Sequence, residues 1–128
     1  PYNHRQYATN YHMLETIAKY DNPKIYGKTG LREYQNQKSP YCSRLQVKKA
    51  FRDLILKAKA KYIFLSYNNE GLMTLDDIKE IMRLRGKYGY FTKEYNRFKA
   101  DKSENRNHKA SKTVEYLHYV ICRFDLIN

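Results

Sequence analysis

Glycine is scarce in this chain, with five in 128 residues. Cradling a nucleotide cofactor through backbone N–H groups takes closely spaced glycines, so no dinucleotide-binding turn is legible here. Tryptophan is absent, and the two cysteines, Cys42 and Cys122, lie far apart without CxxC or metal-ligand spacing. That pattern reads as a reduced, intracellular chain with no disulfide framework. His4, His12, His108 and His118 also lack ligand spacing, so no structural zinc is expected. No apolar run approaches the ~18 residues of a membrane span, and no secretory apolar region is visible. Acidic residues are few as well, 13 against 25 Lys and Arg, for a formal charge of +12. An excess of that size favours an anionic partner, either nucleic acid or an acidic membrane surface.

The positive charge is concentrated. Residues 83–112 hold ten Lys or Arg against three acids, which supplies +7 of the total. The length suits a single domain with a moderate core. "NYHMLETIAKY" (10–20) places Tyr11, Leu14, Ile17 and Ala18 on one helical stripe that Asp21-Asn22-Pro23 ends. Residues 21–42, with Pro23, Gly27, Gly30 and Pro40 among polar neighbours, read as a long functional loop. Ser43 and Gln46 match a capping box, and Val47, Ala50, Phe51, Leu54, Ile55 and Ala58 recur at helical spacing, predicting a helix over about 44–59.

"KYIFLSY" (61–67) is apolar on both faces, the pattern of a strand covered on both sides in a parallel sheet. Thr74 and Asp77 open another helix with core positions Leu75, Ile78, Ile81, Met82 and the stem of Arg85, closed by Gly86. Residues 88–99 and 113–123 then alternate as strands around a polar, basic tip, with Val114, Tyr116, His118 and Val120 on one face. The order predicts an α/β fold with a parallel strand, flanking helices and a terminal antiparallel β-hairpin.

"GKTG" (27–30) is not a phosphate loop, because position 22 is Asn where that motif needs Gly and no strand precedes it. Lys28 and Arg32 in that loop are candidates for touching a nucleic-acid backbone, or belong to an ordinary surface loop. No nucleophile–base pair or carboxylate dyad appears. The opening "PYNHRQY" differs, since a rigid Pro and a flat Tyr stand beside Asn3, His4, Arg5 and Gln6. Such a cluster suits a planar heteroaromatic ring, held by stacking and edge hydrogen bonds.

"PYNHRQYATNYHMLETIAKYDNPKIYGKTGLRE" resembles the stretch that begins at the Asp-Pro-Pro-Tyr motif of adenine-N6 DNA methyltransferases. It is closest to the D12 class of type II restriction–modification systems, which includes methylases that partner FokI-like nucleases. "KYIFLSYNNEGLM", "YNRFKADK" and "KTVEYLHY" resemble the same class in the same order. The resemblance implies that residues 1–128 are the C-terminal portion of a Rossmann-like, S-adenosylmethionine-dependent catalytic domain starting inside the motif. Pro1 and Tyr2 would be catalytic, with Tyr2 stacked on a flipped-out adenine. Asn3, Arg5, Lys28, Arg32, Arg97, Lys99, Lys102, Arg106 and Lys109 would contact double-stranded DNA, and Ser66, Asn68, Asn69 and Glu70 would wall the adenine pocket.

The motif's Asp, its first Pro and the glycine-containing S-adenosylmethionine site would lie in a missing N-terminal half or a companion chain. An exocyclic amine is a poor nucleophile unless oriented and electrostatically supported, so this portion alone is expected to be inactive. A homodimer through an unpaired strand edge is a further expectation. So is a bacterial cytoplasmic location, with no membrane partner. The alternative is a stand-alone basic nucleic-acid-binding module without catalysis.

Overall fold

The structure, a computed structural model, describes residues 4–96 and 112–123. Two short helices, α1 (Tyr7–Asn10) and α2 (His12–Lys19), lead into a two-stranded hairpin, β1 (Ile25–Tyr26) and β2 (Leu31–Arg32). Two 3-10 turns (Gln35–Gln37 and Pro40–Cys42) reach helix α3 (Val47–Lys57). Strand β3 (Tyr62–Asn68), helix α4 (Leu75–Arg83) and the long strands β4 (Gly86–Asn96) and β5 (Lys112–Cys122) follow.

The second sheet has the order β3-β5-β4, with both pairings antiparallel. The strand arriving last therefore lies in the middle, with Leu65 opposite His118 and Tyr90 opposite His118 on its other side. The α/β character and the terminal hairpin agree with the sequence pattern. The parallel strand does not: β3 pairs antiparallel with β5, and no parallel pair occurs among the described residues. Coverage on both sides fails too, since Phe64 is 64% exposed and Phe91 is 65% exposed on the face opposite the helices. A continuous apolar run marks a strand with two apolar faces, and it is silent on partner direction and on which segment covers the second face.

Alternation explains the covered face. Tyr67 on β3, and His118, Val120 and Cys122 on β5, are buried with Val47, Phe51 and Ile55 of α3 and Ile78, Ile81 and Met82 of α4. Helix α4 begins as the sequence indicates. The Thr74 hydroxyl accepts from the Asp77 N–H (3.2 Å), and the Asp77 carboxylate accepts from the Thr74 N–H (2.9 Å). The box expected at Ser43 and Gln46 does not form. Helix α3 starts at Val47, whose N–H binds the Ser43 carbonyl (2.8 Å), so Gln46 stands at the cap position rather than in the first turn. Helix α2 falls within the expected 10–20 but starts at His12, with Tyr11 left at the junction with α1, and its stripe is exposed, with Leu14 at 62% and Ile17 at 67% exposure.

Gly86 adopts φ +157° where β4 begins, and a Cβ there would stand 2.1 Å from the Ile121 carbonyl oxygen. It therefore opens β4 by close backbone contact with β5, one residue beyond Arg85.

Arg85 ties these elements together. Its side chain is buried, and its guanidinium donates to the carbonyls of Leu56 (3.4 Å) and Ala58 (2.6 Å) at the end of α3. Its own carbonyl accepts from the Arg123 N–H (2.9 Å) just past β5. Helix ends leave carbonyls without intrahelical donors and carry partial negative charge, so a cation there answers both needs. Replacing Arg85 by Met keeps much of the stem packing but orphans two carbonyls. Arg85→Met should lower unfolding stability by about 1–3 kcal/mol in urea titration. A midpoint equal to the parent's would show the clamp to be energetically idle.

Candidate functional site

The carboxyl end of β3 and the turn into α4 gather the polar residues expected to wall a pocket. Ser66 is exposed on the uncovered sheet face, in a groove of about 640 Å³ shared with Phe91, Lys93, Tyr95 and Glu115. Asn68 and Asn69 instead line a smaller cavity of about 190 Å³ with Tyr67, Thr74, Tyr116 and His118. Ser66 is thus separated from the two asparagines, and Glu70, exposed in the turn, is absent from both linings.

Local chemistry accounts for that turn. The Asn68 Oδ1 accepts from the Glu70 N–H (3.0 Å), which starts the bend. Asn69 exchanges two bonds with Val114: its N–H donates to the carbonyl (3.0 Å), and its Oδ1 accepts from the N–H (3.1 Å). The side chain of Asn69 thereby extends the ladder one step past the end of β3. The Tyr67 hydroxyl accepts from the Met73 N–H (3.2 Å), and a Cβ on Gly71 would lie 2.1 Å from the Tyr67 ring. Only glycine lets the turn close that tightly over the tyrosine.

His118 was legible in the sequence only as one more position on a strand face. Its side chain is 1% exposed, and its Nδ1 lies 2.8 Å from the Tyr88 hydroxyl. The Nε2 is buried without a hydrogen-bond partner. Tyr90 and Tyr116 flank the ring, with Tyr116 stacked at 5.7 Å between centroids. Burial pushes the His118 pKa down to about 4, so the imidazole is neutral at physiological pH.

The amino-terminal region is anchored by side chains. The Gln6 amide brackets Ser39, accepting from its N–H (2.8 Å) and donating to its carbonyl (3.3 Å). The Arg5 carbonyl accepts from the Cys42 thiol (3.3 Å), while the Arg5 side chain is exposed. Lys28 stands exposed in the β1–β2 turn. Arg32 does not share that exposure. It is buried, and its guanidinium engages both Asp21 oxygens (3.2 and 2.5 Å) and the Thr16 hydroxyl (3.3 Å). The pairing holds the Asp21 carboxyl below its ordinary pKa. Arg32 thus anchors the hairpin instead of lining its surface. Pro1, Tyr2, Asn3, Arg97, Lys99, Lys102, Arg106 and Lys109 lie outside the described residues.

Among the described residues, no three metal-ligating side chains come together, and no helix is long and apolar enough to cross a membrane. What the sheet end presents is a neutral, aromatic and amide-lined recess beside a strongly basic chain, which is suited to an uncharged ring more than to an ion.

Comparison with known proteins gives this arrangement a lineage. Residues 1–81 match the family of D12 class N6 adenine-specific DNA methyltransferases, and the chain belongs to that family. It is 58% identical over 118 residues to type II methyltransferase M.NlaIII of Neisseria lactamica, covering 92% of this chain and 35% of that protein. It is 44% identical over 123 residues to type II methyltransferase M.FokI of Planomicrobium okeanokoites, covering 94% of this chain and 18% of that protein. M.CviAII of Paramecium bursaria Chlorella virus 1 is 34% identical over 122 residues. The chain thus spans about a third or less of these relatives. No solved structure matches it significantly.

The state of His118 sets a pH dependence. Its folded pKa lies below the unfolded value near 6.5, so the unfolded state binds the extra proton between those values. Stability is therefore fully present above about pH 6.5 and falls on acidification, levelling off below about pH 4. The full difference amounts to about 3 kcal/mol. Urea titrations from pH 7 to 4.5 should show this decline, and His118→Phe should remove most of the slope whatever its absolute stability. A pH-independent midpoint in the parent would refute the assignment.

Proposed function

We propose that this chain is part of a site-specific DNA methyltransferase that moves a methyl group from S-adenosylmethionine to N6 of adenine in DNA. The observation that carries the reading is the family match running from residue 1 through the β3–α4 turn. The basic charge, +12 overall, supports a polyanionic substrate.

In this reading Tyr2 offers its π-face to an extrahelical adenine, and Pro1 restricts the backbone that aims it. The recess at the end of β3 stands at the carboxyl end of a strand, where open α/β sheets take ligands. Asn68 and Asn69 would help shape the base pocket from there, while Ser66 would act from the opposite sheet face. Lys28, exposed in the hairpin turn, would meet phosphates, as would Arg5, Arg97, Lys99, Lys102, Arg106 and Lys109.

S-adenosylmethionine would supply the methyl group. Its binding does not fit the described residues: Gly27 and Gly30 form a hairpin turn, Gly71 clears Tyr67, and Gly86 and Gly89 sit in β4. The donor site is accordingly assigned to further chain, as are the Asp and first Pro that complete the catalytic motif. That additional chain would pair with the free edge of β3 and continue the sheet as a Rossmann-like one. It would also cover Phe64 and Phe91. The system would be a bacterial, cytoplasmic restriction–modification pair.

Methyl transfer to adenine-containing duplex, followed with labelled donor, tests the assignment. The 128-residue chain alone should show no transfer above a protein-free blank. Joined to the remaining length of a relative such as M.NlaIII, it should become active. A stacked aromatic contributes about 1–3 kcal/mol per base, so Tyr2→Ala in the joined enzyme should slow the initial rate at least about tenfold. Tyr2→Phe keeps the π-face and should retain most of the activity. Full activity in Tyr2→Ala, or equal loss in both variants, would remove the stacking role.

A further inference from the structure

The geometry points to the β1–β2 hairpin as a finger for duplex DNA that enters the major groove, with Lys24 and Lys28 on flanking phosphates and Tyr26 against base edges. The inference rests on the proposal that the chain acts on DNA, and it adds a contact surface that the catalytic reading does not require.

The hairpin has a stiff root and an open, cationic tip. At the root, Ile25 pairs with Arg32 and Tyr26 with Leu31. The buried Arg32 guanidinium fixes β2 to Asp21 and to Thr16 of α2. That pairing also neutralises Asp21, while Glu33, the acid nearest the tip in sequence, lies just past β2 with its carboxylate accepting from the Gln35 N–H (2.8 Å). From residue 22 to residue 31 there are two lysines and no Asp or Glu. The turn closes with the Gly30 N–H on the Gly27 carbonyl (3.3 Å), both glycines having positive φ (+67° and +64°). A Cβ on Gly27 would meet nothing within 4 Å, so its glycine serves backbone conformation at a tip that stands clear of the described residues.

The exposed groups match a nucleic-acid groove. Lys24, Tyr26, Lys28 and Thr29 are all exposed, and the Lys24 ammonium sits 5.5 Å from the centre of the Tyr26 ring. One aromatic face with ammonium groups beside it offers stacking or edge contact together with phosphate neutralisation. Two strands joined by a tight turn form a ribbon, which the major groove admits at ~12 Å width, whereas the minor groove at ~6 Å does not. Docking of the same tip into an apolar protein surface would desolvate both lysines without a counter-charge, which is strongly unfavourable.

The test is fluorescence anisotropy of a labelled duplex against salt, using the whole 128-residue chain. Each phosphate contact contributes about 0.9 to the slope of log K on log[salt], so Lys24→Ala/Lys28→Ala should flatten the slope by roughly 2. Tyr26→Ala, which removes the base-edge contact, should weaken binding about fivefold or more while leaving the slope unchanged. Duplex carrying glucosylated hydroxymethylcytosine, whose major groove is filled, should bind the parent at least about tenfold more weakly than plain duplex. Netropsin, which fills the minor groove, should not compete.

All three residues are exposed, so melting temperatures should stay near the parent's, and a variant that melts early is replaced by Lys24→Gln/Lys28→Gln. A parental slope in the double variant, undiminished binding to glucosylated duplex, or no duplex binding by the parent would each overturn the finger. Methyl transfer by the joined enzyme is a separate readout. Its persistence alongside a failed finger leaves the enzymatic proposal standing, and its absence alongside a working finger removes that proposal alone.

Discussion

The fold turns on a buried cation that answers a helix end instead of a carboxylate. Arg85 sits where α4 gives way to β4, and its guanidinium takes the carbonyls of Leu56 and Ala58 as α3 ends. Its backbone carbonyl meets Arg123 as β5 ends. One side chain and one carbonyl therefore fix where two helices and two strands stop or start relative to each other. Burying an arginine is costly, and the concentrated negative end of α3 makes it tolerable here. The same junction puts Gly86 against the Ile121 carbonyl, so the approach of β4 to β5 and the docking of α3 on α4 share one origin.

Given that junction, the distribution of apolar surface follows from strand alternation. The helix-side face collects Tyr67, His118, Val120 and Cys122 into the core. The other face carries Tyr62, Phe64, Phe91, Leu117 and Ile121, each between 40% and 65% exposed. Helix α2 likewise turns Leu14 and Ile17 outward. Exposed apolar patches on that scale are typical of interaction surfaces, and the relatives are about three or more times the length of the matched segment.

Much of the architecture was legible because local rules and tertiary packing agree. The Thr74–Asp77 box and the stripe Ile78, Ile81, Met82 define α4 in sequence and in space. Alternation at Tyr116, His118 and Val120 likewise announces β5. Where the sequence misled, the deciding interaction was long-range. Nothing local tells β3 that its neighbour is β5 rather than a parallel strand. Ser43 and Gln46 have the spacing of a capping box, but α3 begins after them. Arg32 reads as a surface cation until Asp21 and Thr16 are brought around it. Of the site, the polar character of residues 66–70 was visible, but not that Ser66 faces away from the recess formed by Asn68 and Asn69. His118, buried with an unpartnered Nε2, carried no signal beyond its place in an alternating strand.

The central position of β5 has a consequence for synthesis. A ribosome releases α3, β3, α4 and β4 in turn, yet β3 and β4 never touch, because the strand that separates them is made after both. Until residue 122 is free, neither strand has its β5 partner, and within this segment the order rests on the packing of α3 on α4 and of α4 on β4. Sheet formation is then a single late event that closes both ladders at once. Within that window the chain is exposed to edge pairing with its own copies or to capture by chaperones.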